Sequence, residues 1–221
     1  MGSIFQLNQV QAFEWGVRLA VLFICLPVHE FAHAWAAYRL GDNTAARQGR
    51  LTLNPFVHLD IFGGLLLLFV GFGWAKPVPV DPMVFRRPRR DMAIVAAAGP
   101  LANLIMAIIM MSVAKIIIHT AGPAFPVFEA VQVLSIMLSI NLVLAAFNLL
   151  PVPPLDGSKL LGALLPDRHY FAMMRYERII MLVLIVLMLT GRLWGIIGWL
   201  RDILFAFVYF ITMPIDMIFG R

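Results

Sequence analysis

Long unbroken apolar runs, rather than a short-period alternation of apolar and polar positions, dominate this chain. A helix that crosses a bilayer needs roughly 20 mostly apolar residues. Residues 15–38, 92–118 and 128–150 meet that length. A further apolar stretch is divided at Gly191-Arg192 into residues 179–190 and 193–214, which predicts two helices rather than one broken span. Residues 59–74 are also apolar but short, and Gly63, Gly64, Gly71 and Gly73 weaken them as a helix.

Composition narrows the class. The 221 residues are 62% hydrophobic and 13% charged, with a mean hydropathy of +0.89. Soluble domains run nearer 45–50% apolar and about 25% charged, so the excess apolar surface needs lipid. The net charge of +5 does not signal a nucleic-acid module, because the basic residues are spacers between apolar runs. A single cysteine excludes an internal disulfide framework. The length leaves no room for a second folded domain, so residues 1–221 are expected to form one membrane-embedded unit, with a core over about 15–165 and C-terminal helices over about 179–214.

Charge then orients the runs. If residues 59–74 do not cross the membrane, 12 of the 17 basic residues gather on one side, and the opposite short loop, 119–127, has no Lys or Arg. The positive-inside rule therefore predicts a re-entrant or surface-dipping segment at 59–74. Residues 41–91 and 157–178 would then face the cytoplasm, with the N-terminus outside. Irregular backbone at that depth is tolerated where protein covers it or where it lines a wet cavity. The run Arg86-Arg87-Pro88-Arg89-Arg90 reads as an anchor for topology and anionic lipid.

Some polar groups stand where lipid should exclude them. Within the first run lies His29-Glu30-Phe31-Ala32-His33, an H-E-x-x-H motif. Residues four apart share a helix face, so His29 and His33 can present two imidazoles to one metal, while Glu30 can hold the water that the metal activates. An ionisable group in mid-bilayer costs about 2.5–3.5 kcal/mol on insertion scales. Three in one helical turn call for a compensating ligand. A catalytic zinc takes three protein ligands and keeps a fourth position open. The third ligand must come from elsewhere, with Asp156, His58 and Asp60 as candidates. Asp156 follows Pro151-Val152-Pro153-Pro154-Leu155, a stretch in which regular helix is forbidden, and precedes Gly157, which permits a sharp turn.

H-E-x-x-H in a first membrane helix, with Asn148-Leu149-Leu150-Pro151 leading to Leu155-Asp156-Gly157 downstream, resembles the site-2 protease family of intramembrane zinc metalloproteases. Gly49–Pro55, His58-Leu59-Asp60, Trp74–Val80 and Gly99–Asn103 also resemble its compact microbial members, which lack a PDZ domain. The likeness covers about residues 15–165. It implies one Zn2+ per chain, with His29, His33 and Asp156 as ligands and Glu30 as catalytic acid and base. It also implies Asn148 as a polar helper near the reacting carbonyl. His58 and Asp60 then take supporting roles. Gly99 and Asn103 read as a close helix contact with one interhelical hydrogen bond, and Cys25 as a small apolar filler.

Arg50, Leu51, Thr52 and Leu53 alternate like a short strand ended by Asn54-Pro55. Either it packs locally or, as the resemblance implies, it offers an edge to substrate. The expectation is an all-α polytopic membrane protein of about five to six transmembrane helices, with a small re-entrant β element near the active site. It would be an intramembrane zinc endopeptidase in the cell membrane of a microbe, with its active site towards the cytoplasm. Its partners would be lipid and a membrane protein that supplies a transmembrane segment. The alternative is a metal-ion transporter or metal-binding scaffold, since intramembrane His, Glu and Asp also mark ion pathways.

Overall fold

The computed structural model describes residues 15–70, 73–121 and 125–219. Among these, four helices are long and apolar enough to cross a membrane. They are α1 (Trp15–Arg39), α3 (Pro88–Ala121), α4 (Phe125–Asn148) and α8 (Trp194–Phe219). Shorter helices are α2 (Ile61–Val70), α5 (Asp156–Leu164), α6 (Asp167–Arg175) and α7 (Glu177–Leu189). The protein is an integral membrane protein, and the three long runs read from the sequence are α1, α3 and α4.

Five to six spans were expected, and four helices among the described residues meet the length and composition of a span. At 1.5 Å per residue the 13 residues of α7 reach only about 20 Å, against about 30 Å of hydrocarbon. The break at Gly191 does separate two helices, and that glycine takes a positive φ of 76°. No Cβ opposes that left-handed conformation in glycine.

Side-chain packing fixes how the long helices run. Ala107 and Met111 of α3, Leu138 and Leu142 of α4 and Val208 of α8 form one buried cluster. Ala146 and Leu150, at the other end of α4, pack with Leu155, Leu184, Leu193 and Ile197. Thus α8 runs parallel to α3 and antiparallel to α4. At the far end Lys115 and His119 of α3 both reach Asp216 of α8.

Two helix irregularities shape the centre. Residues Val21–Cys25 form a π-helical turn within α1, and Pro27 follows at once. Proline has no N–H and crowds the carbonyl four residues back, so a wider turn before it absorbs both effects. In α3, Gly99-Pro100 lies at a buried crossing with α1.

The expected strand at Arg50–Leu53 does not form. Among the described residues Leu59 and Ala75 form an isolated antiparallel β-bridge. Gly49 has a φ of 68°, which turns the chain just before residue 50, and the Arg50 side chain is buried rather than set along an edge. The bridge matters for a different reason. It returns the chain to its starting point after α2, with Lys76 N–H donating to the His58 carbonyl at 2.8 Å. Gly63 and Gly73 make the return tight: a Cβ on Gly63 would meet the Trp74 carbonyl, and one on Gly73 the Gly63 carbonyl.

Candidate metal centre

His29 and His33 lie on one face of α1, both buried. Their Nε2 atoms stand 3.0 Å apart. Asp156 Oδ2 lies 3.3 Å from the first and 3.1 Å from the second. These three side chains offer ligand atoms all within 4.8 Å of one another, the one such group among the described residues.

The chemistry of the set fits a metal. His33 Nδ1–H donates to the Val95 carbonyl at 2.7 Å, and His29 Nδ1–H donates to Asn103 Oδ1 at 3.2 Å. With both Nδ1 protons committed, each Nε2 turns a lone pair inwards. Three acceptors so close repel one another unless a cation lies between them. A tetrahedral zinc with bonds of about 2.0–2.2 Å sets its ligand atoms about 3.3 Å apart, the spacing found. A carboxylate at Asp156 completes a donor set of two imidazoles and one oxygen, of the kind that suits zinc.

Local sequence explains the convergence. Gly99 lets α3 approach so closely that a Cβ there would stand 2.5 Å from His33 Nε2 and from His29 Cε1. Asp156 opens α5 after an extended Leu155. Gly157 tucks this turn under the end of α4, where a Cβ would meet the carbonyls of Leu149 and Leu150 at 2.4 Å. The proline-bounded link between α4 and α5 therefore holds the carboxylate against α1.

Glu30 and Asn148 line the same cavity as the three ligand candidates, a space of about 290 Å³ walled also by Pro77, Val78 and Val80. Glu30 Oε2 accepts the Val78 N–H at 3.1 Å. Asn148 Nδ2 donates one N–H to the Leu144 carbonyl at 3.0 Å and leaves the other for the cavity. A second, largely apolar cavity of about 520 Å³ adjoins it and shares His29, Glu30 and Asn148. Its further walls come from α1, α4, Trp74 and the α7–α8 turn.

The remaining candidates fall outside the centre. His58 is buried with Nε2 donating to the Thr52 carbonyl at 2.8 Å, and Asp60 Oδ1 accepts Gly63 N–H at 2.8 Å to start α2. Arg50 does not point along an edge towards substrate. Its guanidinium donates to the carbonyls of Lys76 and Pro77, so it holds the extended segment that in turn holds Glu30. Sequence reasoning missed this clamp and the Val95 carbonyl. The clamp's one signal is an arginine, a strong donor, beside a segment whose prolines prevent self-pairing. A backbone carbonyl leaves none.

The family model described as peptidase family M50 matches residues 115–191. The chain is 40% identical over 201 residues to "Putative zinc metalloprotease YwhC" of Bacillus subtilis, covering 88% of this chain and 91% of that protein. It is 31% identical over 201 residues to "Putative zinc metalloprotease Rip2" of Mycobacterium tuberculosis, covering 84% and 73% respectively. It is also 26% identical over 156 residues to "Zinc metalloprotease MJ0392" of Methanocaldococcus jannaschii, covering 70% and 36%. No solved structure matches.

Proposed function

The chain belongs to peptidase family M50, the site-2 proteases, and is a zinc metalloprotease; from that premise we propose that it cuts membrane proteins within or beside their transmembrane segments. The observation that carries the proposal is depth. His29 lies ten residues before the end of α1, about 15 Å along the helix, so the reacting groups sit within the lipid slab.

His29, His33 and Asp156 would hold the zinc. When bound, it supplies a Lewis acid that polarises a carbonyl and acidifies water. Glu30, oriented by the Val78 N–H, accepts the proton of the attacking water and passes it to the leaving amine nitrogen. Asn148, on the facing wall of the cavity, uses its remaining N–H to stabilise the negative charge that grows on the carbonyl oxygen. The peptide bond of an intact helix is shielded by its own hydrogen bonds, so the substrate must unwind locally. The extended segment 74–80 borders the cavity and supplies a wall for an unwound chain, while the adjoining apolar cavity takes its side chains.

Residues 59–75 fit a segment that dips into the membrane and returns. The ten residues of α2 span about 15 Å, half the hydrocarbon thickness, and their flanks meet at the Leu59–Ala75 bridge. This keeps 12 basic residues on one side, which we assign to the cytoplasm of a microbial cell membrane. Residues 1–221 then act as one unit around this centre. A metal-transport pathway would need ligand groups at several depths, and the described residues bring together one.

The test uses purified protein in vesicles with a model transmembrane substrate. Cleavage should stop on chelation and return with zinc. Glu30→Gln should cleave at least about 10²-fold more slowly while retaining zinc by elemental analysis. A Glu30→Gln protein that cleaves at the normal rate would overturn the role given to that residue.

A further inference from the structure

A groove of about 700 Å³, away from the metal centre, lies between the start of α3 and the side of α5. Its mouth carries Arg87, Arg89 and Arg90, and its floor is Ala93, Ile94, Ala97, Leu160 and Ala163. No lining residue is acidic. Asp91, the carboxylate beside these arginines in sequence, is buried, with Oδ2 accepting the Arg87 backbone N–H at 3.1 Å. Arg89 is engaged in structure: Nη1 donates to the Leu165 carbonyl at 3.1 Å, and the guanidinium lies over the Tyr170 ring. It ties α3 to the end of α5. Arg87 and Arg90 are exposed at the rim.

We propose that this groove binds one anionic phospholipid, its phosphate between Arg87 and Arg90 and its acyl chain along the apolar floor. Two features of the groove select such a molecule. Its polarity is graded: Arg90, Ala93, Ile94 and Ala97 follow one another down one face of α3, so cation gives way to hydrocarbon over about 10 Å at 1.5 Å per residue. A phospholipid has the same gradient over the same distance, whereas a free phosphate would leave the floor wet. The position is also right, because α3 passes from charged to apolar sequence here, where it enters the membrane. Juxtamembrane arginines attract anionic lipid by about 1 kcal/mol each, and guanidinium groups hold phosphate in two-point fashion.

The site bears on the enzyme because of its walls. The α3 wall continues to Val95, whose carbonyl fixes His33, and the α5 wall begins at Asp156. A lipid in the groove touches the two elements that carry these groups, so its effect is read in the rate of cleavage rather than in zinc content. This consequence rests on the protease reading; the binding does not.

The full chain, purified in neutral detergent, is offered phosphatidylglycerol, phosphatidylcholine or inorganic phosphate, and retained ligand is counted by native mass spectrometry. One phosphatidylglycerol should remain per chain, with at least about tenfold preference over phosphatidylcholine, and millimolar phosphate should not displace it. Arg87→Gln with Arg90→Gln should abolish the preference. Ala97→Phe, which keeps both charges but fills the floor, should do so too. Zinc content should stay unchanged in every variant, since none of these side chains touches the centre; a fall would mark a misfolded variant and shift the decision to Arg87→Lys with Arg90→Lys, which should keep the preference. Equal retention of both lipids, displacement by phosphate, or a preference that survives the Gln and Phe variants would each overturn the proposal. Cleavage in phosphatidylcholine and phosphatidylglycerol vesicles then reads the coupling separately.

Discussion

A single methyl group at residue 99 would stand 2.5 Å from ring atoms of both His29 and His33, rings already fixed through their Nδ1 protons. Gly99→Ala must therefore push the imidazoles out of register, and the purified variant should contain far less than one zinc per chain. Normal zinc content would mean that α3 can retreat and that the close approach has no bearing on the centre. Asn103 acts more gently. Removing the acceptor of the His29 proton in Asn103→Ala should weaken zinc about 10–100-fold, read by competition with a chromophoric chelator, with helix content unchanged. These neighbours were half legible in the sequence. Gly99 and Asn103 announce a close crossing with one hydrogen bond, but nothing in the sequence says that the bond ends on a histidine. The candidate ligands His29 and His33 stand out in the sequence because of cost: ionisable groups in a lipid helix need a reason, and a four-residue spacing supplies one.

At the scale of the element, the extended segment 74–80 is held at both ends of its role. Arg50 grips its carbonyls, and its Val78 N–H grips Glu30. Both bonds leave from the one Nη2, so Arg50→Met, which keeps the apolar stem but removes the donor, should cost Glu30 its orientation while the metal keeps its ligands. Cleavage should drop by roughly 10–100-fold, the cost of a small misplacement of a reacting group, through kcat rather than through zinc loss. Zinc loss in this variant would instead make Arg50 a pillar of the fold. The same segment is moored at its far end by Asp42, which accepts the N–H groups of Thr44 and Asp81 at 2.8 Å each. Burial disfavours its charge, but these bonds and Arg47 prevail and keep its carboxyl below the ordinary carboxylate value. A depressed pKa gives stability that is complete above the ordinary value near 4 and is lost as pH falls through the folded one. Melting temperatures of the zinc-free protein and of zinc-free Asp42→Asn should thus differ most at about pH 6 and draw together as pH falls below the ordinary value near 4. The sequence misled on this region because Arg50, Leu51, Thr52 and Leu53 do alternate as a strand would. Pattern reports which faces differ; it does not report that the next residue back, Gly49, turns the chain or that a distant run of prolines needs donors.

At the scale of the molecule, four long helices lie among the described residues, and the centre draws its groups from α1, α3, α4 and the start of α5. The apolar runs made those spans readable to within a few residues. The count was less readable, because α7 is as apolar as a span and merely too short. The expectation that residues 59–74 do not cross the membrane rests on charge, since only that path gathers 12 basic residues on one side. Single cysteines at Arg47, Arg86 and Thr120, with Cys25 replaced by Ala, should label from one side for the first two and from the other for the third. Labelling of 47 and 86 from opposite sides would require α2 to be a crossing.

All of these features converge on one claim, that peptide bonds are cut at membrane depth by Glu30 beside a zinc held by His29, His33 and Asp156. The direct measurement is the position of the cut. A single-span substrate is sealed into vesicles with the protein, and the products are weighed by mass spectrometry to locate the broken bond. The broken bond should lie inside the apolar segment, within about 15 Å of its cytoplasmic end to match the depth of His29 in α1, with product from Glu30→Gln at least about 10²-fold scarcer. Cuts confined to the water-exposed flanks of the substrate, in protein that carries its zinc, would contradict it.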